Sequence, residues 1–156
     1  MNIIFKKQIA EVYAAAACVQ MLTQTEESQQ DIYFKMSRIL QKVSLKDCVN
    51  KSKFNDISNK PIVGYRERLC KLLEDTLHSF SSVKFDVQIE GKLMSFPSFS
   101  VLHQKNTTSF FQGHPVIITD ITKDKITIYD PINEGPVSVL RMKLEPFVLS
   151  CFAIKY

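Results

Sequence analysis

The sequence lacks any apolar run close to the length of a membrane span. A helix that crosses a bilayer needs about 20 consecutive apolar residues, and no stretch of this chain approaches that length. The N-terminal stretch MNIIFKKQIAEVYAAAACVQML is rich in alanine, but its basic pair follows the first apolar residues and Glu11 interrupts the hydrophobic region. It is therefore a poor signal peptide, and we expect no membrane span in this chain.

Cysteine is scarce as well, and its placement argues against a disulfide scaffold or a zinc site. The 4 cysteines show no CxxC spacing and are too few to form a disulfide framework in a chain of 156 residues. A zinc site of two Cys and two His would need closer ligand pairs than this sequence offers. We expect buried or incidental thiols in a reducing compartment, and we expect no cofactor and no metal.

No cluster of basic residues marks a nucleic-acid interface. The formal net charge is only +4, and the lysines and arginines are scattered along the chain. A protein that binds nucleic acid gathers such residues on one face or stripe. We therefore expect no nucleic-acid partner.

The composition is that of an ordinary globular domain. Apolar residues make up 45% and charged residues 23% of the 156 positions, close to the averages for globular proteins. This length supports one hydrophobic core and is short for two. With no internal repeat and no low-complexity linker, we expect a single domain that spans residues 1–156.

Helical patterns occupy the first half of the chain. Strong helix formers predict a helix from Ala14 to about Thr23, and Asp31 can cap a second helix. The polar segment 46–61 is typical of a loop, and residues 65–80 predict a third, amphipathic helix. The apolar stripe of the second helix consists of Ile32, Met36, Ile39, Leu40 and Val43, and that of the third consists of Leu69, Leu72, Leu73, Leu77 and Phe80.

After Ser81 the apolar pattern changes to a period of two, which is typical of strands. Alternation at Phe85, Val87 and Ile89 predicts the first strand, and a turn at Gly91 follows. The further predicted strands are 99–102, 116–121, 126–129, 136–141 and 151–155, with a hairpin turn at 122–125 and the last two strands completing a meander. Helices first and an antiparallel sheet second is an α+β arrangement.

The first motif that carries chemistry lies between Gln8 and Cys18. It reads QIAEVYAAAAC, with Gln8 six residues before Ala14. This resembles the first motif of the bacteriocin-processing, double-glycine leader peptidases, a branch of the papain-like cysteine peptidases, in which a glutamine precedes the catalytic cysteine by six residues. The resemblance implies that Gln8 lends its side-chain amide to the oxyanion hole. It also implies that Ala14 occupies the nucleophile position, where the first helix begins.

The second motif combines His114 and Asp130. The run GHPVIIT places His114 at the head of a predicted strand, and YDP places Asp130 at the end of the next one, sixteen residues on. A hairpin of two roughly equal strands brings these ends together, so we expect the carboxylate on the imidazole. The pair resembles the His and Asp-Pro of the same peptidases. The resemblance spans the whole chain and implies a papain-like fold, with the Ala14 methyl facing the His114 ring across an open cleft.

Three positions depart from the family pattern. The family usually has an aspartate before the nucleophile and a glycine after it, where this chain has Tyr13 and Ala15. Ala14 has no lone pair and no acidic proton, so it cannot attack a carbonyl, and the chain as written should not cleave peptides. We favour an engineered Cys-to-Ala substitution over a natural pseudoenzyme, because the rest of the site remains.

The other histidines and thiols do not belong to a motif of this kind. His78 lies on a helix face and His103 follows a strand, so we interpret both as structural. Cys18 stands one helical turn after Ala14 and is expected to face the core. The remaining thiols have no histidine at a motif spacing, and none resembles a nucleophile. They are Cys48, Cys70 and Cys151.

Three functions stay open at this point. The resemblance implies a peptidase of the bacterial cytoplasm that cleaves a peptide or protein substrate after small residues such as Gly-Gly, with an ABC exporter as a partner. Alternatively, the chain is a toxin or effector domain that uses the same Cys-His-Asp set as protease, deamidase or transferase. Such a domain would be secreted or delivered into a target cell and would have an immunity protein as its partner. In the third interpretation, Ala14 is native and the domain is a non-catalytic peptide-binding pseudopeptidase.

Overall fold

Helices precede an antiparallel sheet, so the predicted α+β class is confirmed. The computed structural model describes residues 2–48, 64–91, 93, 96–104 and 110–156, and of residues 43–48 and 65 it describes the backbone. The helices are α1 (Ala14–Thr23), α2 (Gln29–Cys48), α3 (Tyr65–Phe80) and the short α4 (Arg141–Leu144). The strands are β1 (Asp86–Glu90), β2 (Ser98–Leu102), β3 (His114–Thr119), β4 (Lys125–Tyr129), β5 (Val137–Leu140) and β6 (Val148–Lys155).

The six strands form one sheet in the order β1-β6-β2-β3-β4-β5, and neighbouring strands pair antiparallel. From β2 to β5 the strands form the predicted meander. The prediction that the last strand also belongs to this meander is wrong, because β6 returns across the sheet and lies between β1 and β2. Its residues from Cys151 to Ile154 are all buried, which suits a central strand flanked on both sides.

Two of the three long helices have the predicted bounds, and α2 is longer than predicted. The Ser28 Oγ accepts a hydrogen bond from the Asp31 N–H at 3.0 Å, so Ser28 caps α2. The prediction of Asp31 as the cap is wrong. Its carboxylate lies in the first turn instead, where the helix dipole favours a negative charge. The predicted loop 46–61 is also wrong at its start, since α2 continues to Cys48; residues 49–61 lie outside the described residues.

The main core lies between the helices and one face of the sheet. Three sheet residues on this face, Phe99, Ile117 and Phe152, are paired across neighbouring strands and fully buried. The predicted stripes of α2 and α3 face them: Ile32, Met36, Ile39, Leu69, Leu72, Leu73 and Leu77 are buried in the same cluster. Helix α1 packs against β3 as well as against α2 and α3. It is therefore enclosed, and its residues from Ala14 to Val19 are all buried.

A smaller core covers the opposite face of the sheet. Alternate residues of β3 and β4 point there, and the cluster consists of Leu93, Val116, Ile118, Ile126, Ile128 and Cys151. Leu144 of α4 packs against it. Both faces of the central strands are thus buried, which explains the nearly continuous apolar run of β3.

Three details of the predicted strands need correction. Ile89 was expected on the buried face of β1 but is 37% exposed. Strand β3 ends at Thr119 rather than at 121, because Asp120 adopts a left-handed conformation with φ of 50°. Arg141 begins α4 instead of ending β5. The hairpin turn itself is closed by the Thr122 N–H, which donates to the Lys125 carbonyl at 2.9 Å.

None of the helices in the described part of the chain combines the length and the hydropathy that a membrane span requires.

Candidate active site

His114 and Asp130 contact each other directly. The Nε2 atom of His114 lies 2.5 Å from Oδ1 of Asp130, so the expected hydrogen bond is present and short. His114 is the first residue of β3, and Asp130 follows directly after the last residue of β4. Both side chains are largely buried, at 12% and 18% exposure, so the contact is shielded from water.

The geometry decides which ring nitrogen is left for chemistry. When the carboxylate of Asp130 is ionised it can only accept hydrogen bonds, and Nε2 of His114 is then the donor in this contact. In the neutral ring, Nδ1 then keeps its lone pair. A neutral imidazole held in this way can accept a proton through Nδ1.

A tight turn holds the carboxylate of Asp130 in place. Its Oδ1 also accepts a hydrogen bond from the Ile132 N–H at 3.1 Å, and its carbonyl accepts from the Asn133 N–H at 3.0 Å. This is the pattern by which an aspartate bonds to its own backbone two residues on. The side chain therefore has little freedom to turn away from His114.

Gly113 allows β3 to approach β2 just before His114. A Cβ at this position would lie 2.5 Å from Cγ1 of Val101 and 2.7 Å from the carbonyl oxygen of Leu102. Both distances are shorter than van der Waals contact, and the second is to backbone that cannot swing aside. Only glycine fits here without displacing the strand that carries His114. The sequence contained this glycine in the GHP run, but its close approach depends on a pairing that local sequence does not reveal.

Ala14 is the first residue of α1, as the glutamine spacing predicts. A single turn of 3-10 helix, Glu11–Tyr13, leads into it, and no side chain in the described part of the chain caps the N-terminus of α1. The positive end of the helix dipole lies at this position, and a cysteine here would have its thiolate form stabilised.

Cys18 of α1 lies within reach of the negative charge of Asp130. Cys18 is completely buried, and burial, followed by the negative charge of Asp130, raises the pKa of its thiol well above the usual value. Ala14 precedes Cys18 by four residues and so lies on the same face of the helix, one turn closer to its N-terminus. The predicted position of Cys18 in the core is confirmed.

The open cleft expected at Ala14 is wrong. Ala14 is only 3% exposed, because α1 is enclosed by β3 and the neighbouring helices. Access to this position from solvent is therefore narrow.

Gln8 connects the segment before α1 to the turn that carries Asp130. The backbone N–H of Gln8 donates to the carbonyl oxygen of Pro131 at 2.8 Å. Its side-chain Oε1 is buried and has no hydrogen-bond partner among the described residues. A half-turn of the amide about its last torsion would place Nε2 at this position, as an N–H donor without an acceptor. Such a donor is what an oxyanion hole requires.

An aromatic cluster joins three parts of the site. Tyr13, which precedes Ala14, packs edge-on against Tyr33 of α2 with ring centroids 5.4 Å apart. Tyr33 in turn stacks on Phe110, ahead of Gly113, at 5.0 Å. Tyr13 thus packs against an aromatic ring at the position where the leader peptidases that this motif resembles have an aspartate. The sequence carried no signal for this cluster, because its members are far apart along the chain.

The remaining histidines lie apart from this pair. His78 Nε2 lies 2.9 Å from the Phe85 carbonyl oxygen, as suits a structural histidine between α3 and β1. His103 is exposed, and its backbone N–H donates to the Phe147 carbonyl. Among the described residues, no group of three or more His, Cys, Asp or Glu side chains is placed to hold a metal ion.

The sequence matches no protein-family model and no curated protein. The roles of Ala14, Gln8, His114 and Asp130 therefore remain predictions that rest on the motif spacing and on the contacts described above.

Proposed function

We propose that this chain has the fold and the active-site frame of a papain-like cysteine peptidase of the double-glycine leader type, with Ala14 at the nucleophile position. The observation that carries the proposal is the 2.5 Å hydrogen bond between His114 and Asp130. Strand β3, which carries His114, packs against α1, and α1 begins at Ala14. The chain with Ala14 does not cleave peptides, because a methyl group cannot attack a carbonyl.

A cysteine at position 14 would complete the chemistry. His114 takes the thiol proton, and the thiolate attacks the substrate carbonyl carbon. The carbonyl oxygen becomes an oxyanion, which the Gln8 amide stabilises. The C–N bond then breaks, the amine leaves with the proton from His114, and a thioester remains. Water hydrolyses that thioester and regenerates the thiol. Asp130 keeps the imidazole in position throughout.

The narrow surroundings of Ala14 support a substrate with small residues at the cut. A peptide that reaches a position only 3% exposed must pass through a narrow space. Glycine, which has no side chain, suits such a passage, whereas a large side chain before the cut would collide with it.

The test is restoration of the thiol. Ala14→Cys protein should cleave a synthetic leader peptide after Gly-Gly, and mass spectrometry should show two hydrolysis products. Ala14→Cys/His114→Ala should lose this cleavage by about 100-fold or more. A product that gains about 1 Da on a glutamine, or a covalent adduct with an added amine, would instead identify a deamidase or transferase. An Ala14→Cys protein that yields none of these products would contradict the proposal.

A further inference from the structure

A buried glutamine of α2, Gln29, holds the backbone on both sides of Gln8. Its Oε1 accepts a hydrogen bond from the Ile9 N–H at 2.9 Å. Its Nε2 donates to the Lys7 carbonyl oxygen at 2.8 Å and to Oε1 of Gln20 at 2.9 Å. Gln29 is only 5% exposed, so these bonds are shielded from competing water.

These bonds and the bond to Pro131 lie on opposite sides of the same segment. In an extended chain, the carbonyl of one residue and the N–H of the residue two further on point to one side, and the N–H of the residue between them points to the other. Lys7 and Ile9 bond to Gln29 on one side. Gln8 bonds to Pro131 on the other. Around Gln8 the backbone therefore has the hydrogen-bond pattern of a short strand between α2 and the Asp130 turn.

This arrangement fixes the direction of the Gln8 side chain. Side chains of an extended segment stand perpendicular to the plane of its backbone hydrogen bonds. Because both in-plane directions are occupied, the segment cannot rotate about its own axis without breaking bonds to Gln29 or Pro131. Donors in an oxyanion hole are effective only when held in place before the reaction.

We infer that Gln29 is a positioning residue that orients Gln8 as the oxyanion donor of the proposed site, an inference that rests on the proposed peptidase function. Gln29 does not touch the reacting atoms and acts on Gln8 through the segment 7–9. Its loss is expected to impair reactions that pass through an oxyanion, and to spare reactions of the same thiol that do not.

Two small probes separate these reactions in Ala14→Cys protein, with no need for the natural substrate. Iodoacetamide alkylates the thiolate by displacing iodide, and no oxyanion forms. With p-nitrophenyl acetate, the thiolate adds to the carbonyl, the S–C bond forms through an oxyanion, and p-nitrophenolate leaves with the electron pair. The ratio of the acylation rate to the alkylation rate therefore reports the oxyanion hole rather than the thiolate.

The expected result is a selective loss of acylation. Gln29→Met, of similar size but unable to form these bonds, should lower the ratio about tenfold or more. Gln29→Glu should do the same, because a carboxylate oxygen would face two acceptors, Lys7 O and Gln20 Oε1. Gln8→Ala should lower the ratio about 100-fold, the usual effect of losing one oxyanion donor.

Thr76→Ala provides a control for lost stability. Thr76 is fully buried in α3 and donates to the Leu72 carbonyl, away from the segment 7–9. Its loss should lower the melting temperature and leave the ratio unchanged. If the ratio of acylation to alkylation is the same with Gln29, Gln29→Met and Gln29→Glu, the positioning role is overturned. The proposed function is not affected by that result. A thiol at position 14 that alkylates no faster than an ordinary thiol overturns both.

Discussion

The rings of Tyr33 and Phe110 stack with their centroids 5.0 Å apart and their planes inclined by 23°. Tyr33 belongs to α2, and Phe110 lies on the segment that leads to Gly113 and His114. Because Tyr33 also packs against Tyr13, a single side chain holds the start of α1 and the approach to β3 against the same helix.

Replacing Tyr33 should therefore lower the free energy of unfolding most when the whole ring is removed. Tyr33→Ala removes its ring contacts with Tyr13, Phe34 and Phe110 and should lower the free energy of unfolding by about 2–4 kcal/mol. Tyr33→Phe keeps the stack and should cost less than about 1 kcal/mol. Urea denaturation followed by circular dichroism measures both. Equal losses for the two variants would show that the hydroxyl, rather than the stack, carries the stabilisation.

A cysteine restored at position 14 should be unusually reactive, and its reactivity should depend on His114. At pH 7, an ordinary thiol is only a few per cent thiolate. A thiolate paired with the imidazolium should react with iodoacetamide roughly 5- to 30-fold faster, since the gain in thiolate is partly offset by its lower nucleophilicity. His114→Ala should remove this acceleration. Equal labelling rates with and without His114 would show that no such pair forms. The Ala14 protein gives the background from the native thiols.

Gly113 should not tolerate even one methyl group. Gly113→Ala would place its Cβ 2.7 Å from the Leu102 carbonyl oxygen, so β3 must shift. We expect a loss of about 1–3 kcal/mol in the free energy of unfolding, together with slower labelling of Ala14→Cys because His114 moves. Gly91→Ala is the matched control, since nothing lies within 4 Å of a Cβ there. If thermal denaturation gives both variants the same melting temperature, the close approach is not a constraint.

Cys70 should stay protonated well above neutral pH. Burial, then the charges of Glu74, Asp86 and Glu67, raise the pKa of its thiol to about 11 from an ordinary 9.0. The folded state thus retains a proton that the unfolded state releases above pH 9. The resulting stabilisation is fully present below pH 9 and is lost as the pH rises through 11.

Two measurements check this pKa. Urea denaturation at pH 8 and pH 10.5 should show a larger loss of stability for the Ala14 protein than for its Cys70→Ser variant. Alkylation of Cys70 at pH 8, followed by peptide mass mapping, should be roughly 10- to 100-fold slower in the folded than in the urea-unfolded protein. Equal rates in both states would contradict the raised pKa.

Local patterns predicted the helices and most strands of this chain well. The bounds of α1 and α3 follow from helix formers and apolar spacing, both of which lie within the element itself. The contact between His114 and Asp130 was predictable for the same reason, because a hairpin is a local structure. The cap of α2 was misassigned since Ser28 and Asp31 are both good capping residues, and only the backbone geometry distinguishes them.

Features that depend on distant pairing could not be predicted. The burial of Ala14 arises from the packing of α1 against β3, and the central place of β6 arises from its pairing with β1 and β2. Gln29 gave no signal at all, because a glutamine at a helix start is common. Its importance comes from bonds to residues as much as 22 positions away.

The central place of β6 has a consequence for the order of folding. Strand β1 pairs with β6, with Val87 opposite Ile154, and β2 places Phe99 opposite Phe152. During synthesis, β1 and β2 leave the ribosome well before β6, so β1 and the edge of β2 that does not pair with β3 stay unpaired until β6 is made. Pairing of this kind is slow. We therefore expect the sheet to close in one late step, in which β6 inserts between two waiting strands. Nascent chains that end before β6 should offer those strands to chaperones.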